Sequence, residues 1–188
     1  MEIYKYGTNS IFVKDGSSSF VILNEDGLAK KITGLEPTMV INCVKDKFAD
    51  VTVIDSPGEY EIGGVYVETL MFEEKSKLML IEYEDVVMVY LDCNPNELSQ
   101  AILDKVASAN IVFAVMSADS KEMLNSVVDL VNEVEPEIFI PIGDESLQST
   151  LPASFGNKEI QPEKKLKIKS SEVGNDDSVT SLYLLKSS

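Results

Sequence analysis

The side chains whose type invites chemistry are two glutamates two residues apart, Glu59 and Glu61, two cysteines, Cys43 and Cys93, and three serines, Ser117, Ser120 and Ser126. Paired carboxylates do acid–base work when they flank a scissile bond from opposite sides. At a spacing of two on a strand, Glu59 and Glu61 share one face instead, which suits a sheet role. The cysteines have no zinc-type spacing. With no sign of secretion they read as small buried hydrophobes rather than a disulfide. The serines have no base to activate them, because the chain contains no His at all. It also contains no Arg and no Trp. Without imidazole the usual general base, proton shuttle and zinc ligand is missing, and Ser-His-Asp and Cys-His arrangements are excluded. Without guanidinium there is no planar fork to grip phosphate in two places. Neither G-x-x-x-x-G-K-[ST] nor G-x-G-x-x-G occurs, and Gly63-Gly64 reads as a turn or bulge. The predicted catalytic set is therefore none. Met71, Met79, Met88, Met116 and Met123 are core filling.

What surrounds these residues is a soluble globular composition. The chain has 188 residues, 44% of them apolar, enough for one domain over 1–188 with a sizeable core. Sixteen lysines against 32 acids give a net charge of −16, a surface that repels nucleic acid and anionic lipid. No apolar run approaches a membrane span, and the N-terminus lacks the layout of a signal peptide, so a cytoplasmic location is expected. Partners are unidentified, and a homo-oligomer is left open.

The elements that must position any site change rhythm along the chain. Short strands are predicted over 3–6, 11–13, 20–23, 39–41, 51–54, 60–62, 65–72, 78–83 and 86–91, with Asp15-Gly16 and Glu84-Asp85 as hairpin turns. After residue 94 a helix begins, with Asn96 as N-cap and Leu98, Ile102, Leu103 and Val106 at helical spacing. A buried strand over 111–115 follows. A second helix is capped by Ser117 or Asp119 and ended by Pro136, and a further strand covers 138–142: a parallel βαβ unit. A short helix is predicted near 146–150. Alternation over 164–169 marks a half-exposed strand, and a loop at 174–177 leads to a last strand over 179–185. The periodicity supports two sheets packed face to face with outer helices.

The segment 55–67, DSPGEYEIGGVYV, is similar to one in small proteins of the metallo-β-lactamase superfamily. The opening M-E-I-x-x-x-G, the hairpin over 78–91, the segment VEPEIFIP over 134–141 and the tail KKLKIKSSE over 164–172 match that family in type and order. The resemblance implies an α/β fold, the four-layer αββα sandwich of two facing mixed sheets with outer helices. It also implies a metal loop, H-x-H-x-D-H, after a buried strand. Two later ligands, an Asp and a His, complete a site whose metals activate water against an ester, amide or phosphodiester.

In this sequence the loop positions fall on Asn42, Val44, Asp46 and Lys47. The later Asp falls at Asp92 or beside it at Cys93, and the last His near Gly143. Only Asp46 and one donor at Asp92–Cys93 keep a ligand type. An ammonium at Lys47 opposes a cation, and Lys45 and Lys47 lower the local negative charge. The expectation is a vestigial site without cofactor. Asn42, Lys47, Tyr90, Asp92 and Cys93 would line what remains, and Lys47 would pair with Asp46 or Asp92. The function implied is a catalytically inactive or strongly divergent binding or scaffolding module. The alternative is a residual metal-dependent hydrolase of a lactone, ester or phosphoester, holding a divalent ion through Asp46, Asp92 and Cys93, with Asp144 and Cys43 nearby.

Overall fold

A computed structural model of the chain describes residues 1–16, 18–44, 46–73, 76–117, 119–147, 150–151, 155, 160–169, 173 and 179–188. Burial alternates along β1 (Glu2–Tyr6), whereas β2 (Ser10–Asp15) and β3 (Ser18–Leu23), which pair with it in turn, carry continuous buried runs. A five-residue helix, α1 (Ala29–Thr33), then leads to β4 (Met39–Asn42) and β5 (Thr52–Ile54). Four strands follow: β6 (Glu59–Ile62), β7 (Val65–Phe72), β8 (Lys77–Tyr83) and β9 (Val86–Asp92). The β8–β9 turn places Glu84 and Asp85 at φ +48° and +66°, the two left-handed residues that a type I′ hairpin requires.

Downstream, a single 3₁₀ turn (Pro95–Glu97) precedes α2 (Gln100–Val106), β10 (Ile111–Met116), α3 (Lys121–Val134) and β11 (Ile138–Gly143). Two-residue strands β12 (Leu166–Lys167) and β13 (Ser181–Leu182) close the sheets.

One sheet has the order β12-β1-β2-β3-β4-β5 and the other β13-β11-β10-β9-β8-β7-β6. Both are mixed. β1, β2 and β3 pair antiparallel, whereas β3-β4 and β4-β5 are parallel. In the second sheet β9, β10 and β11 run parallel through the α2 and α3 crossovers. The inner faces meet in a core that includes Ile3, Phe20, Ile41, Met79, Tyr90 and Phe113. α2 and α3 cover the outer face of the second sheet, packing on Leu91, Val112, Ala114 and Phe139. α1 covers the outer face of the first through Ile32 on Val21, Leu23 and Val40. The order is helix, sheet, sheet, helix, the expected α/β sandwich. No described helix is long and apolar enough to cross a membrane.

Several local expectations are corrected. Asn96 caps nothing. Asn94 accepts from the Asn96 N–H at 3.2 Å and starts the 3₁₀ turn, with Pro95 pre-set at its first position. Leu98 is extended, and the helix begins only at Gln100. α3 is capped by Ser120, whose hydroxyl accepts from the Met123 N–H at 3.4 Å, rather than by Ser117 or Asp119. α1 was not foreseen, because Ala29–Thr33 carries a single buried residue, Ile32, and no periodic pattern. The terminal strand spans two residues rather than 179–185, and Val179 is exposed. The loop at 174–177 lies outside the described residues, as do 148 and 149 of the short helix expected near 146–150, whose described residues Leu147 and Thr150 are helical.

Candidate functional site

The resemblance places the metal loop at the end of β4. Asn42 there is buried, 2% exposed, but its amide faces its own loop. Its Nδ2 donates to the Asp46 carbonyl at 2.7 Å, and its Oδ1 accepts from the Asp46 N–H at 3.2 Å. A side chain bonded at both ends to the backbone four residues on is a loop clamp. Val44 packs on the outer cluster with Phe48 and Val51. Lys47 is exposed, and among the described residues it pairs with neither Asp46 nor Asp92. That expectation is corrected: a lysine at the rim keeps its ammonium hydrated. Lys45 lies outside the described residues.

Asp92 ends β9 and turns to the inner side with Tyr90, two residues back. Asn24 Nδ2 donates to both, to the Tyr90 hydroxyl oxygen at 2.8 Å and to Asp92 Oδ2 at 2.6 Å. The Tyr90 hydroxyl in turn donates to the Asn9 carbonyl at 2.7 Å. Burial drives the Tyr90 hydroxyl pKa well above its usual value. Cys93 is one residue further on and therefore points the other way, into the helix-covered cluster with Val106 and Leu124. The period of two separates Asp92 from Cys93, so the pair does not act together as donors. Among the described residues no three Cys, Asp or Glu side chains come together in a way that could hold a metal ion, Asp46, Asp92 and Cys93 included.

Gly143 ends β11 at φ +155°. A Cβ there would lie 2.1 Å from the Met116 carbonyl oxygen and 2.7 Å from Leu147 Cδ1. This position excludes any side chain, an imidazole above all. Its carbonyl accepts from the Lys5 ammonium, which is buried between the sheets at 6% exposure. Burial lowers the Lys5 pKa, opposed by the carboxylates of Asp144, Glu145 and Glu25. An ammonium therefore sits beside the position where the resemblance puts the last donor. At the positions the resemblance assigns to ligands, the residues present do not fit a metal ion: an amide and a carboxylate are already bonded, one position is apolar, one admits no side chain, and an ammonium stands next to it.

Sequence reasoning missed two lysines. Lys5 follows Ile3 by two residues, and Lys77 precedes Met79 by two, so strict alternation turns both into the inter-sheet space. Lys77 is 3% exposed, and its ammonium donates to the Glu73 carbonyl. It is paired in register with Asp92 across β8 and β9, which puts both lysines at the same strand tips.

Two clefts open there. The smaller, about 410 Å³, is bordered by Thr8, Asn9, Asp92, Ser120, Gly143 and Asp144. The larger, about 600 Å³, is bordered by Asp26, Cys43, Asp55, Phe72, Glu73 and Lys77. Asp92 is thus the only one of the five expected lining residues to border either; Asn42, Lys47, Tyr90 and Cys93 do not. Tyr90 and Cys93 belong to the two cores, Asn42 to its loop, and Lys47 to solvent. Glu59 and Glu61 are exposed on β6, opposite Glu68 and Tyr66, with a sheet role.

Neither a scan against protein-family models nor a search of curated protein sequences gave a match. Solved structures did. A candidate zinc-dependent hydrolase of the metallo-β-lactamase superfamily from Thermotoga maritima superposes with a TM-score of 0.68 at 13% identity, covering 98% of this chain and 99% of its own. The metallo-β-lactamase fold protein YhfI from Bacillus subtilis gives 0.58 at 11% identity over 88% and 99%. The metallo hydrolase Igni18 from Ignicoccus hospitalis gives 0.57 at 8% over 89% and 99%. What is shared at such identities is the architecture, and the two mixed sheets with their outer helices agree with it: the chain has the metallo-β-lactamase fold.

Proposed function

We propose that the chain is a divergent member of the metallo-β-lactamase superfamily, one domain over residues 1–188, that works as a metal-free binding module rather than as a hydrolase. One observation carries this reading: the groups at the fold's donor positions are committed to the protein itself. Asn42 clamps its loop, Asp92 is held by Asn24, and Gly143 admits no side chain while its carbonyl takes the Lys5 ammonium. Neither an ion nor an activated water is needed to satisfy them. The net charge of −16 argues against nucleic acid and anionic membranes as partners.

The test is elemental analysis of protein produced with zinc and manganese in the medium and then dialysed. Turnover of a lactone, an ester and a phosphodiester is measured beside it, with and without those ions. The expected result is no stoichiometric ion and no turnover above the protein-free rate. A tightly held ion, or metal-stimulated turnover that disappears in Asp46→Ala or Asp92→Ala, would overturn the reading in favour of a residual metal hydrolase.

A further inference from the structure

The larger cleft has an unusual floor. Lys77 is 3% exposed, and among the described residues it makes no ion pair. Of the three donors of an ammonium, one goes to the Glu73 carbonyl. The Phe72 ring lies 5.9 Å from Nζ, and the Cys43 thiol faces the same charge. A buried ammonium with no described carboxylate in direct contact, Asp92 across the strand pair included, is costly, and natural proteins pair such charges. The rim is opposite in sign: Asp26, Asp55 and Glu73 are exposed at the mouth of the same cleft. At about 600 Å³ the space is that of a small-molecule site.

We propose that this cleft binds a small zwitterion, a molecule carrying a carboxylate and an amine, with the carboxylate on the Lys77 ammonium and the amine among the rim carboxylates. An anion alone meets three like charges on the way in. An amine alone leaves the buried ammonium uncompleted. Only a ligand with both ends makes charge-assisted bonds at floor and rim together. The Phe72 ring and Val44 supply apolar surface for the carbon chain between them. This inference rests on the reading of the domain as a metal-free binding module and names the class of ligand that module takes.

The test is calorimetric titration with glycine, β-alanine, γ-aminobutyrate, δ-aminovalerate and ε-aminocaproate, a series in which only the separation of the two charges changes. Butyrate and butylamine are the one-charge controls. One chain length is expected to bind at least about tenfold more tightly than either control. That binding should be lost in Lys77→Met and weakened in the exposed pair Asp26→Asn/Asp55→Asn. No binding by any member, equal binding of butylamine, or retention in Lys77→Met would overturn the proposal. If Lys77→Met does not fold, unchanged affinity in Asp26→Asn/Asp55→Asn overturns it. Failure here with metal-free protein sinks only the ligand class, whereas a stoichiometric ion on dialysed protein sinks the reading beneath it.

Discussion

The smaller cleft, over Asp92 and Gly143, and the larger, over Cys43 and Lys77, open at the same strand tips, and Lys77 and Asp92 are paired neighbours on β8 and β9. Their polar floors differ. Under the smaller cleft a chain of hydrogen bonds runs from Asp92 through Asn24 and Tyr90 to Asn9, and the Gly143 carbonyl holds Lys5. Under the larger cleft a buried ammonium has one backbone acceptor and no carboxylate among the described residues. The polar groups at the smaller cleft are bonded to one another, whereas the ammonium under the larger cleft has a single described acceptor. One set of strand tips thus carries two clefts with different polar floors, and what is true of one need not hold for the other.

The largest effect is expected at Tyr90, which joins the network of the smaller cleft to the inter-sheet core. Its ring is fully buried. Tyr90→Ala removes that ring and should destabilise the protein by about 3–5 kcal/mol in urea unfolding. Tyr90→Phe keeps the ring and strips the Asn9 carbonyl of its donor, for a loss of about 1–3 kcal/mol. If Tyr90→Phe is as stable as the parent, hydrogen bonds do not close the smaller cleft, and the contrast between the two clefts fails.

The sandwich was legible because its signals are periodic. Alternation in β1, the apolar run Met39–Ile41 of β4, and the strand–helix–strand rhythm of β10, α3 and β11 each report what is buried. The site was legible only in what it lacks, since the absence of His can be read from composition. The bonds made at the positions the resemblance assigns to donors were hidden for physical reasons. The Asn42 clamp depends on where the Asp46 backbone turns, and the bonds of Asn24 span more than sixty residues of sequence to Tyr90 and Asp92. The separation of Asp92 from Cys93 was available from the period of two, as were the inward positions of Lys5 and Lys77. A charged residue at an inward position at a strand end is the signal that points to them.

Asn42 gives a smaller effect that bears on the loop bordering the larger cleft. Asn42→Ala removes both bonds to Asp46 from a buried position and should cost about 1–3 kcal/mol by urea denaturation. Asn42→Asp separates clamping from charge. It keeps the acceptor for the Asp46 N–H, but its second oxygen faces the Asp46 carbonyl, so it should lose at least as much as the alanine variant. Stability restored in Asn42→Asp by added manganese would mean that the loop still holds an ion, which would remove the distinction between a closed centre and an open cleft.

The smallest effect concerns the two thiols, Cys43 at the larger cleft and Cys93 in the helix-covered core. Burial pushes both Cys43 and Cys93 up to about 12 from an ordinary value near 9. At Cys43 the Lys77 ammonium opposes the rise and the Asp92 carboxylate adds to it, whereas at Cys93 Asp92 and Glu97 both add to it. The native state keeps these protons where the unfolded chain releases them. Their stabilising contribution is therefore complete below pH 9 and is lost as pH climbs from 9 towards about 12. By pH 10 the loss should be about 1 kcal/mol per thiol, read as a falling urea midpoint that flattens in Cys43→Ala/Cys93→Ala. The single variants sharpen the comparison. Replacing Lys77 by Met removes the charge that opposes the rise at Cys43 and leaves Cys93 unchanged, so native alkylation of Cys43 at high pH should slow while that of Cys93 stays constant. Equal slowing at both thiols would mean that the Lys77 charge is not confined to the larger cleft.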